Sequence, residues 1–174
     1  MTRQYHRWFP FVTLMLLCAC APNVAVDYDK STDFSRYHSY HWGTGMPAKN
    51  PETDRQIVEA IDDQLARKGL TKTDADPDLV VTYHAATHEE IDYNEGGGYA
   101  GSGVKYGSAI SPSASDIPMR VQVGTIMVDM YDTKRQRRVW HGEGSDVMMN
   151  DPAKRSAEIQ KGAVKMFEKF PPGK

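Results

Sequence analysis

The chain has 174 residues, of which 40% are hydrophobic and 10% aromatic, so it fits one globular domain and not a disordered or fibrous protein. Its formal net charge is −2, and no long run of one sign occurs. The electrostatic footprint of a nucleic-acid-binding protein is therefore absent from the sequence, and nucleic acid is not an expected partner.

The first 19 residues have the pattern of a secretory signal peptide. Arg3 and Arg7 give a positive start, and a mostly apolar stretch follows at 8–17. That stretch is too short for a membrane-spanning helix, which needs about 20 apolar residues. We therefore expect residues 1–19 to direct export and then to be removed.

Both cysteines of the chain lie at the end of this segment, in the run Leu17-Cys18-Ala19-Cys20. The run resembles the lipobox of bacterial lipoproteins, in which a small residue directly precedes the lipid-bearing cysteine. Cys20 fits because Ala19 precedes it, whereas the bulky Leu17 precedes Cys18. A disulfide between cysteines two positions apart would be strained, and no further soft ligands follow for a metal clip.

The lipobox resemblance implies cleavage between Ala19 and Cys20 and acylation of Cys20 with chains such as palmitate. Each buried methylene contributes about 0.8 kcal/mol, so several acyl chains hold a protein in a membrane far more firmly than one. Ala21 follows the cysteine, and by resemblance to proteobacterial sorting rules this residue favours the outer membrane over the inner. We expect the domain to face the periplasm, although Ala21 does not distinguish this side from the cell surface. Residues 20–23 then form the lipidated amino terminus and a short linker.

Two short β-prone runs and one helix come next. The runs lie at 24–28 and 37–42. Asn50 and Pro51 are residue types preferred at the start of a helix, and Gly69 is typical of its end. The apolar face of this helix is predicted from residues at helical spacing, namely Ile57, Val58, Ile61 and Leu65. The opposite face is predicted to be solvated, with Glu59, Asp62, Asp63 and Arg67.

The second half of the chain predicts three longer strands and a final helix. The strands lie at 79–91, 121–132 and 137–148, and a charged turn joins the last two as a hairpin. The first half of 79–91 is apolar on both faces, which predicts a central strand that is buried on both sides. The helix begins at Asp151-Pro152 and stops before Pro171-Pro172.

This order of elements predicts an α+β domain over residues 24–172. The domain would have a single mixed sheet of about five strands, with two α-helices packed on one face. The step from the second strand through the first helix to the third strand would be parallel, and the later hairpin antiparallel.

Two segments have the composition of binding surfaces. A Gly- and Ser-rich loop at 92–118 is long for a connection in a compact domain, and such loops are either functional or idle insertions. Its tyrosines would suit contact with an envelope protein partner or with a glycan surface: Tyr93, Tyr99 and Tyr106. The hairpin turn carries four cations that would meet anionic headgroups or simply keep the sheet end solvated: Lys134, Arg135, Arg137 and Arg138.

No pattern in the sequence predicts an enzyme. The stretch 96–101 formally fits GxGxxG, but no helical pattern follows it to present N–H groups to a phosphate. His84 and His88 would lie about 13 Å apart on one strand, too far to share an ion. A cross-strand pair of His84 with His141 is the remaining metal alternative. We predict no catalytic residue, no cofactor and no metal.

Four blocks of the sequence resemble, in order, the domain-of-unknown-function family 4136. The blocks are VDYDKSTDFSRYHSYHW at 26–42, ADPDLVVTYHA at 75–85, GTIMVDMYDTKRQRRVWHGEGSD at 124–146 and FPP at 170–172. The resemblance implies a bacterial lipoprotein, which agrees with the lipobox. It implies no activity and no catalytic residues.

These observations predict a lipoprotein that is anchored in the outer membrane through Cys20. Its domain would act as a non-enzymatic module for binding or envelope support. The alternative is a periplasmic small-ligand carrier, or an enzyme, whose pocket is not visible in the sequence. A concave pocket in the fold would favour this alternative.

Overall fold

A computed structural model of the chain describes residues 23–92 and 119–172, within which there are six strands and two α-helices. The strands are β1 (Asn23–Tyr28), β2 (Ser39–Trp42), β3 (Thr71–Lys72), β4 (Leu79–Asp92), β5 (Met119–Asp132) and β6 (Arg137–Val147). The helices are α1 (Pro51–Arg67) and α2 (Pro152–Phe167). The predicted α+β fold is confirmed.

All six strands belong to one mixed sheet, in the order β1-β6-β5-β4-β2-β3. The pairs β1–β6, β6–β5 and β5–β4 are antiparallel, whereas β2 is parallel to both β4 and β3. The predicted parallel step from β2 through α1 to β4 is thus confirmed, as is the β5–β6 hairpin. The sixth strand, β3, has two residues, too few to leave an alternating pattern in the sequence.

The predicted starts of both helices are confirmed. The Asn50 side-chain oxygen accepts hydrogen bonds from the N–H groups of Glu52 (2.9 Å) and Thr53 (3.1 Å). The Asp151 carboxylate accepts the N–H of Lys154 at 2.9 Å. A proline follows each cap, where its missing N–H costs nothing. Gly69 follows α1 with φ +88°, in the left-handed region that suits glycine.

Both helices cover the same face of the sheet and run parallel to each other. The Gln56 amide of α1 donates to the Pro152 carbonyl at the start of α2, and the Lys68 ammonium donates to the Glu168 carbonyl near the other end. The core lies between the helix pair and the sheet. Its largest fully buried side chains come from both layers: Trp140, Phe167, Leu65, Leu79, Met130, Val81, Val128 and Val139.

One side chain on the polar face of α1 has a structural role. Asp62 Oδ1 accepts hydrogen bonds from Tyr40 Oη (2.6 Å) and Trp42 Nε1 (2.9 Å), and Asp62 Oδ2 pairs with Lys72 Nζ (3.2 Å). The prediction that Asp62 is simply solvated is therefore wrong. Helical spacing shows which face of α1 is polar, but it does not show that donors from β2 and β3 reach that face.

The face of the sheet opposite the helices is only partly covered. β4 is a central strand as predicted, and Thr82 on this face is buried at 8% exposure. Val80 and His84, however, are half-buried, and Ala86 is exposed. The prediction that β4 is buried on both sides is therefore wrong for these positions, because both helices pack on the other face.

The predicted loop at 92–118 begins one residue later, because Asp92 belongs to β4. Residues 93–118 lie outside the described residues, as does the segment 1–22 with the predicted signal peptide and lipidation site. The domain's first strand begins at Asn23, one residue before the predicted boundary.

Candidate functional site

A cleft of about 550 Å³ lies between the sheet and the helix pair, where the long strands β4 and β5 extend past the helices. Its floor comes from β4 around 85–87, β5 around 122–128 and β6 around 144–147. Its walls come from the first part of α1, between Thr53 and Ile61, and from α2 between Arg155 and Met166. Sites for small molecules typically have volumes of about 300–1,000 Å³. The structure thus contains a pocket of the kind that the ligand-carrier alternative requires.

Small side chains on the floor explain why this space is not filled. On the helix-facing side of the sheet, Ala85, Ile126 and Gly144 form one row across three strands. The next row towards the strand ends contains Thr87 and Gly124. Glycine and alanine leave the space between the layers empty, whereas larger residues at the rows nearer the core close it.

The wall on the α1 side is held by Tyr83. The Tyr83 hydroxyl accepts the N–H of Ala48 at 3.2 Å and donates to the Asp54 carboxylate of α1. The Met46 N–H donates to the Tyr83 carbonyl at 3.0 Å, and the Ala85 N–H donates to the Met46 carbonyl at 2.9 Å. These bonds hold the segment before α1 beside β4. The Met46 side chain remains 62% exposed at the rim. The backbone of this wall is therefore fixed while its rim side chain is free to rearrange.

Four methionines line the cleft: Met46, Met148, Met149 and Met166. Methionine is flexible and polarizable, and it suits apolar contacts that must adapt to different shapes. Met166 of α2 is held in place by the sheet, because it packs directly over Gly142 and Gly144 of β6. The lining thus combines one fixed methionine with others nearer the rim.

Gly162 leaves a gap in the α2 wall. It lines the cleft, and a Cβ added at this position would meet no heavy atom within 4 Å. A larger side chain at position 162 would therefore enter the cleft without displacing the core. The position offers a way to fill the cleft selectively.

Most polar side chains at the cleft have structural partners. Asn50 caps α1, and Glu158 pairs with Lys161 at 3.2 Å. The Asp146 carboxylate accepts the N–H of Val147 at 2.8 Å. Each of these contacts is local to its own helix or strand.

Two positively charged side chains at the cleft are not fully paired in this way. Arg155 Nη1 donates to the Met149 carbonyl at 3.2 Å, but its buried Nε meets no acceptor among the described residues. Lys49 is exposed and makes no ion pair within the described part of the chain. A buried donor without a partner costs about 1–3 kcal/mol, so Arg155 is the polar group of the cleft that has most to gain from a ligand.

The cleft lies at the end of the sheet where the chain enters the domain. Asn23, the first residue of β1, pairs with Ser145, which lines the cleft. Cys20 precedes Asn23 by three residues, and a chain of that length reaches about 10 Å at most. The predicted lipid attachment point is therefore close to the cleft.

The four cations of the β5–β6 turn lie at the other end of the sheet. Arg137 pairs with Asp29 and donates to Ser31 Oγ at 3.3 Å. Arg138 Nη1 donates to Asp129 Oδ1 at 3.0 Å, on the face without helices. The eight-residue rise along β6 from Arg137 to Ser145 separates the turn from the cleft end by roughly 25 Å. This distance separates the four cations, Lys134, Arg135, Arg137 and Arg138, from the strand end that is nearest to the predicted lipid attachment point.

Asp132 organises this turn. Its burial alone would raise the pKa of the carboxyl, but hydrogen bonds outweigh burial and hold the pKa below its ordinary value. The donors are the N–H groups of Arg135 (2.8 Å) and Lys134 (2.9 Å) and the Tyr37 hydroxyl (2.8 Å). Burial, together with the bond to Asp132, raises the pKa of Tyr37. The turn thus folds around a structural carboxylate, and the role of its cations in binding stays a prediction.

The cross-strand histidine pair does not form a site. His84 and His141 lie on the same face, but on β4 and β6, with β5 between them. His141 Nδ1 instead contacts Asp129 Oδ1 at 2.8 Å. Residues 23–92 and 119–172 include no group of three or more His, Cys, Asp or Glu side chains that would hold a metal ion.

The remaining predicted site residues are Ala19, Cys20, Tyr93, Tyr99 and Tyr106, and all lie outside the described residues. Lipidation and cleavage at the first two stay predictions, as does partner contact at the three tyrosines. Within the part of the chain that the structure describes, neither helix is both long and apolar enough to span a bilayer.

A match over most of the chain identifies the family. Residues 24–172, which include nearly all of the described domain, match the family described as Domain of unknown function (DUF4136). The chain belongs to the DUF4136 family. The resemblance seen in the four sequence blocks is thereby confirmed, and the DUF4136 description assigns no activity. No curated protein sequence matches the chain.

Solved structures share this DUF4136 fold at low identity. A PDZ domain protein from Parabacteroides distasonis is 18% identical with a TM-score of 0.52, and the match covers 88% of this chain. This chain spans only 37% of the length of that protein. A PelC dodecamer from Paraburkholderia phytofirmans is 11% identical with a TM-score of 0.50, covering 84% of this chain and 94% of that one. These likenesses concern the fold alone.

A third structure is more distant. It is a minor lipoprotein from Acinetobacter baumannii, 9% identical with a TM-score of 0.37, and the match covers 77% of this chain and 92% of that one.

Proposed function

We propose that the protein is an outer-membrane lipoprotein, anchored through Cys20 and facing the periplasm, whose domain binds an apolar ligand in the cleft without transforming it. The observation that carries the proposal is the apolar cleft at the end of the domain nearest Cys20. The proposal combines the predicted anchor with the ligand-carrier alternative.

The lining of the cleft supports binding. Small residues and methionines supply apolar surface, and burial of apolar surface is the main driving force for such ligands. Asn50, Asp146 and Glu158 are engaged in contacts within the walls. We therefore assign these polar groups to the architecture of the cleft and none of them to a reaction.

The short connection to Cys20 supports the anchor. Only two residues, Ala21 and Pro22, separate the lipobox cysteine from β1, so an acylated Cys20 would hold the domain against the membrane surface. Because β1 begins at the cleft end of the sheet, the cleft would lie close to the membrane.

The anchor is tested by cysteine substitution and labelling with a palmitate analogue. We expect Cys20→Ser to leave an unlabelled, uncleaved precursor, because acylation and cleavage both need this thiol. Cys18→Ser is the matched control and should be labelled, cleaved and recovered with the outer membrane. Loss of label in Cys18→Ser alone, or recovery of the labelled protein in the inner membrane, would contradict the assignment.

The cleft is tested with a fluorescent apolar probe, using the mature chain with Cys20→Ser. We expect the probe to bind, and Gly162→Phe to weaken its binding at least tenfold, because the ring would occupy the cleft. Gly162→Ala is the matched control, since a methyl group leaves the cleft open. Equal probe affinity in all three proteins would overturn the proposed binding site.

A further inference from the structure

The lining of the cleft favours a flexible aliphatic chain over a ring. The described residues that line it include no Phe, Tyr or Trp, so no aromatic face is available to stack on a planar ligand. The floor instead carries residues with small or aliphatic side chains, among them Ala85, Gly124, Ile126 and Gly144. Methionines with several rotatable bonds complete the lining and follow the shape of a chain more readily than that of a rigid body.

Acidic and basic side chains both line the cleft, but they differ in how they are partnered. Glu158 is paired with Lys161, and the exposed Asp146 accepts the N–H of Val147 and keeps its negative charge. Arg155, by contrast, keeps a buried Nε without an acceptor among the described residues, and Lys49 is exposed at the rim. An acidic group on the ligand would satisfy the Arg155 donor with a charge-assisted hydrogen bond, which is about twice as strong as a neutral one.

From this lining and these charges we infer that the ligand is a fatty acid, with its chain in the cleft and its carboxylate on Arg155. The inference rests on the proposed function and names the ligand class of the same site. The membrane beside the anchor would be the source of the chain, because Asn23 pairs with Ser145 at the cleft and lies three residues from Cys20.

The inference is tested by competition against the apolar probe with three twelve-carbon amphiphiles below their micellar concentrations. Dodecanoate should bind roughly tenfold more tightly than dodecanol, because it alone bonds Arg155 through a charge. Dodecylammonium should bind more weakly than dodecanol. Shortening the acid to decanoate should weaken binding roughly tenfold, since two buried methylenes are lost.

Substitution of Arg155 tests whether this side chain causes the preference for dodecanoate over dodecanol. Arg155→Met keeps an unbranched apolar side chain and should abolish the preference for dodecanoate while leaving dodecanol affinity unchanged. Arg55→Met is the matched control, because Arg55 lies on α1 outside the cleft lining, with its side chain 64% exposed and paired with Glu59. This variant should bind all three amphiphiles as the unmodified protein does.

Two results would overturn the inference and leave the proposed function intact. One is equal affinity for dodecanoate and dodecanol in the protein with Arg155, a comparison that needs no variant. The other is an unchanged preference for dodecanoate in Arg155→Met. Failure of the probe itself to bind would instead overturn the proposed function, so the two failures are distinguishable.

Discussion

Asp132 is 2% exposed and is held as a carboxylate by donors from two parts of the chain. Two of its donors belong to the turn that follows it, and the third is the hydroxyl of Tyr37, nearly a hundred positions earlier. A buried charge is tolerated when its hydrogen bonds replace those of water. This single side chain therefore joins the β5–β6 turn to the segment before β2.

Replacing this carboxylate should destabilise the fold. We expect Asp132→Asn to lower the free energy of unfolding by about 2 kcal/mol at pH 7, because hydrogen bonds to a charged group are lost or weakened. Urea denaturation followed by circular dichroism measures the change. Asp74→Asn, at an exposed carboxyl with no partner among the described residues, should have no measurable effect.

The loss of stability caused by Asp132→Asn should depend on pH. The pKa of Asp132 is lower in the folded protein than its ordinary value of 3.8, so the carboxylate stabilises the fold above about pH 4. That contribution is lost as the pH falls through the lowered pKa. The stability difference between the unmodified protein and Asp132→Asn should therefore shrink between pH 4 and pH 2. A difference that stays constant over this range would contradict the account.

Glycines mark where the elements meet. Gly142 of β6 lies under Trp140 and Met166, and an added Cβ would be 2.4 Å from Trp140 Cη2 and 2.6 Å from Met166 Cγ. Gly162 of α2 lines the cleft, and an added Cβ there would meet no heavy atom within 4 Å. Gly142 thus lies in the filled part of the interface between the sheet and the helices, whereas Gly162 lies beside the cleft.

Alanine at these two positions should have opposite effects. Gly142→Ala should lower the free energy of unfolding by about 1–3 kcal/mol, because the methyl group overpacks against a rigid ring. Gly162→Ala should raise it by about 0.5–1 kcal/mol, because alanine suits a helix better and meets no clash. Thermal or urea unfolding compares the two variants directly. Similar effects at both positions would show that the cleft beside Gly162 is filled.

At the level of the whole molecule, the fold is more predictable from sequence than the cleft. The helix starts at Asn50 and Asp151 follow from cap and proline signals that are local in the chain, and the strands from alternation within each segment. The cleft depends instead on Ala85, Ile126 and Gly144 lying in one row across three strands. One strand's pattern shows which residues share a face, but not which residues of other strands lie beside them.

A weak signal for the cleft does exist in the sequence. Glycines alternate at Gly142 and Gly144, and Gly124 stands in the partner strand, an unusual density of small residues for one sheet face. Such residues mark a close approach of another element or a space for a ligand. Here both occur, with Met166 packed over Gly142 and the cleft beyond Gly144.

The most direct test of the account is amide chemical-shift mapping by NMR, on the labelled mature chain with Cys20→Ser, during titration with the apolar probe. We predict that the largest shifts fall on both sides of the cleft, around Ala85, Ile126, Gly144 and Gly162. The β5–β6 turn, at the far end of the sheet, should be unaffected and serves as the internal control. Shifts confined to that turn, or spread evenly over the domain, would contradict a binding site between the sheet and the helices.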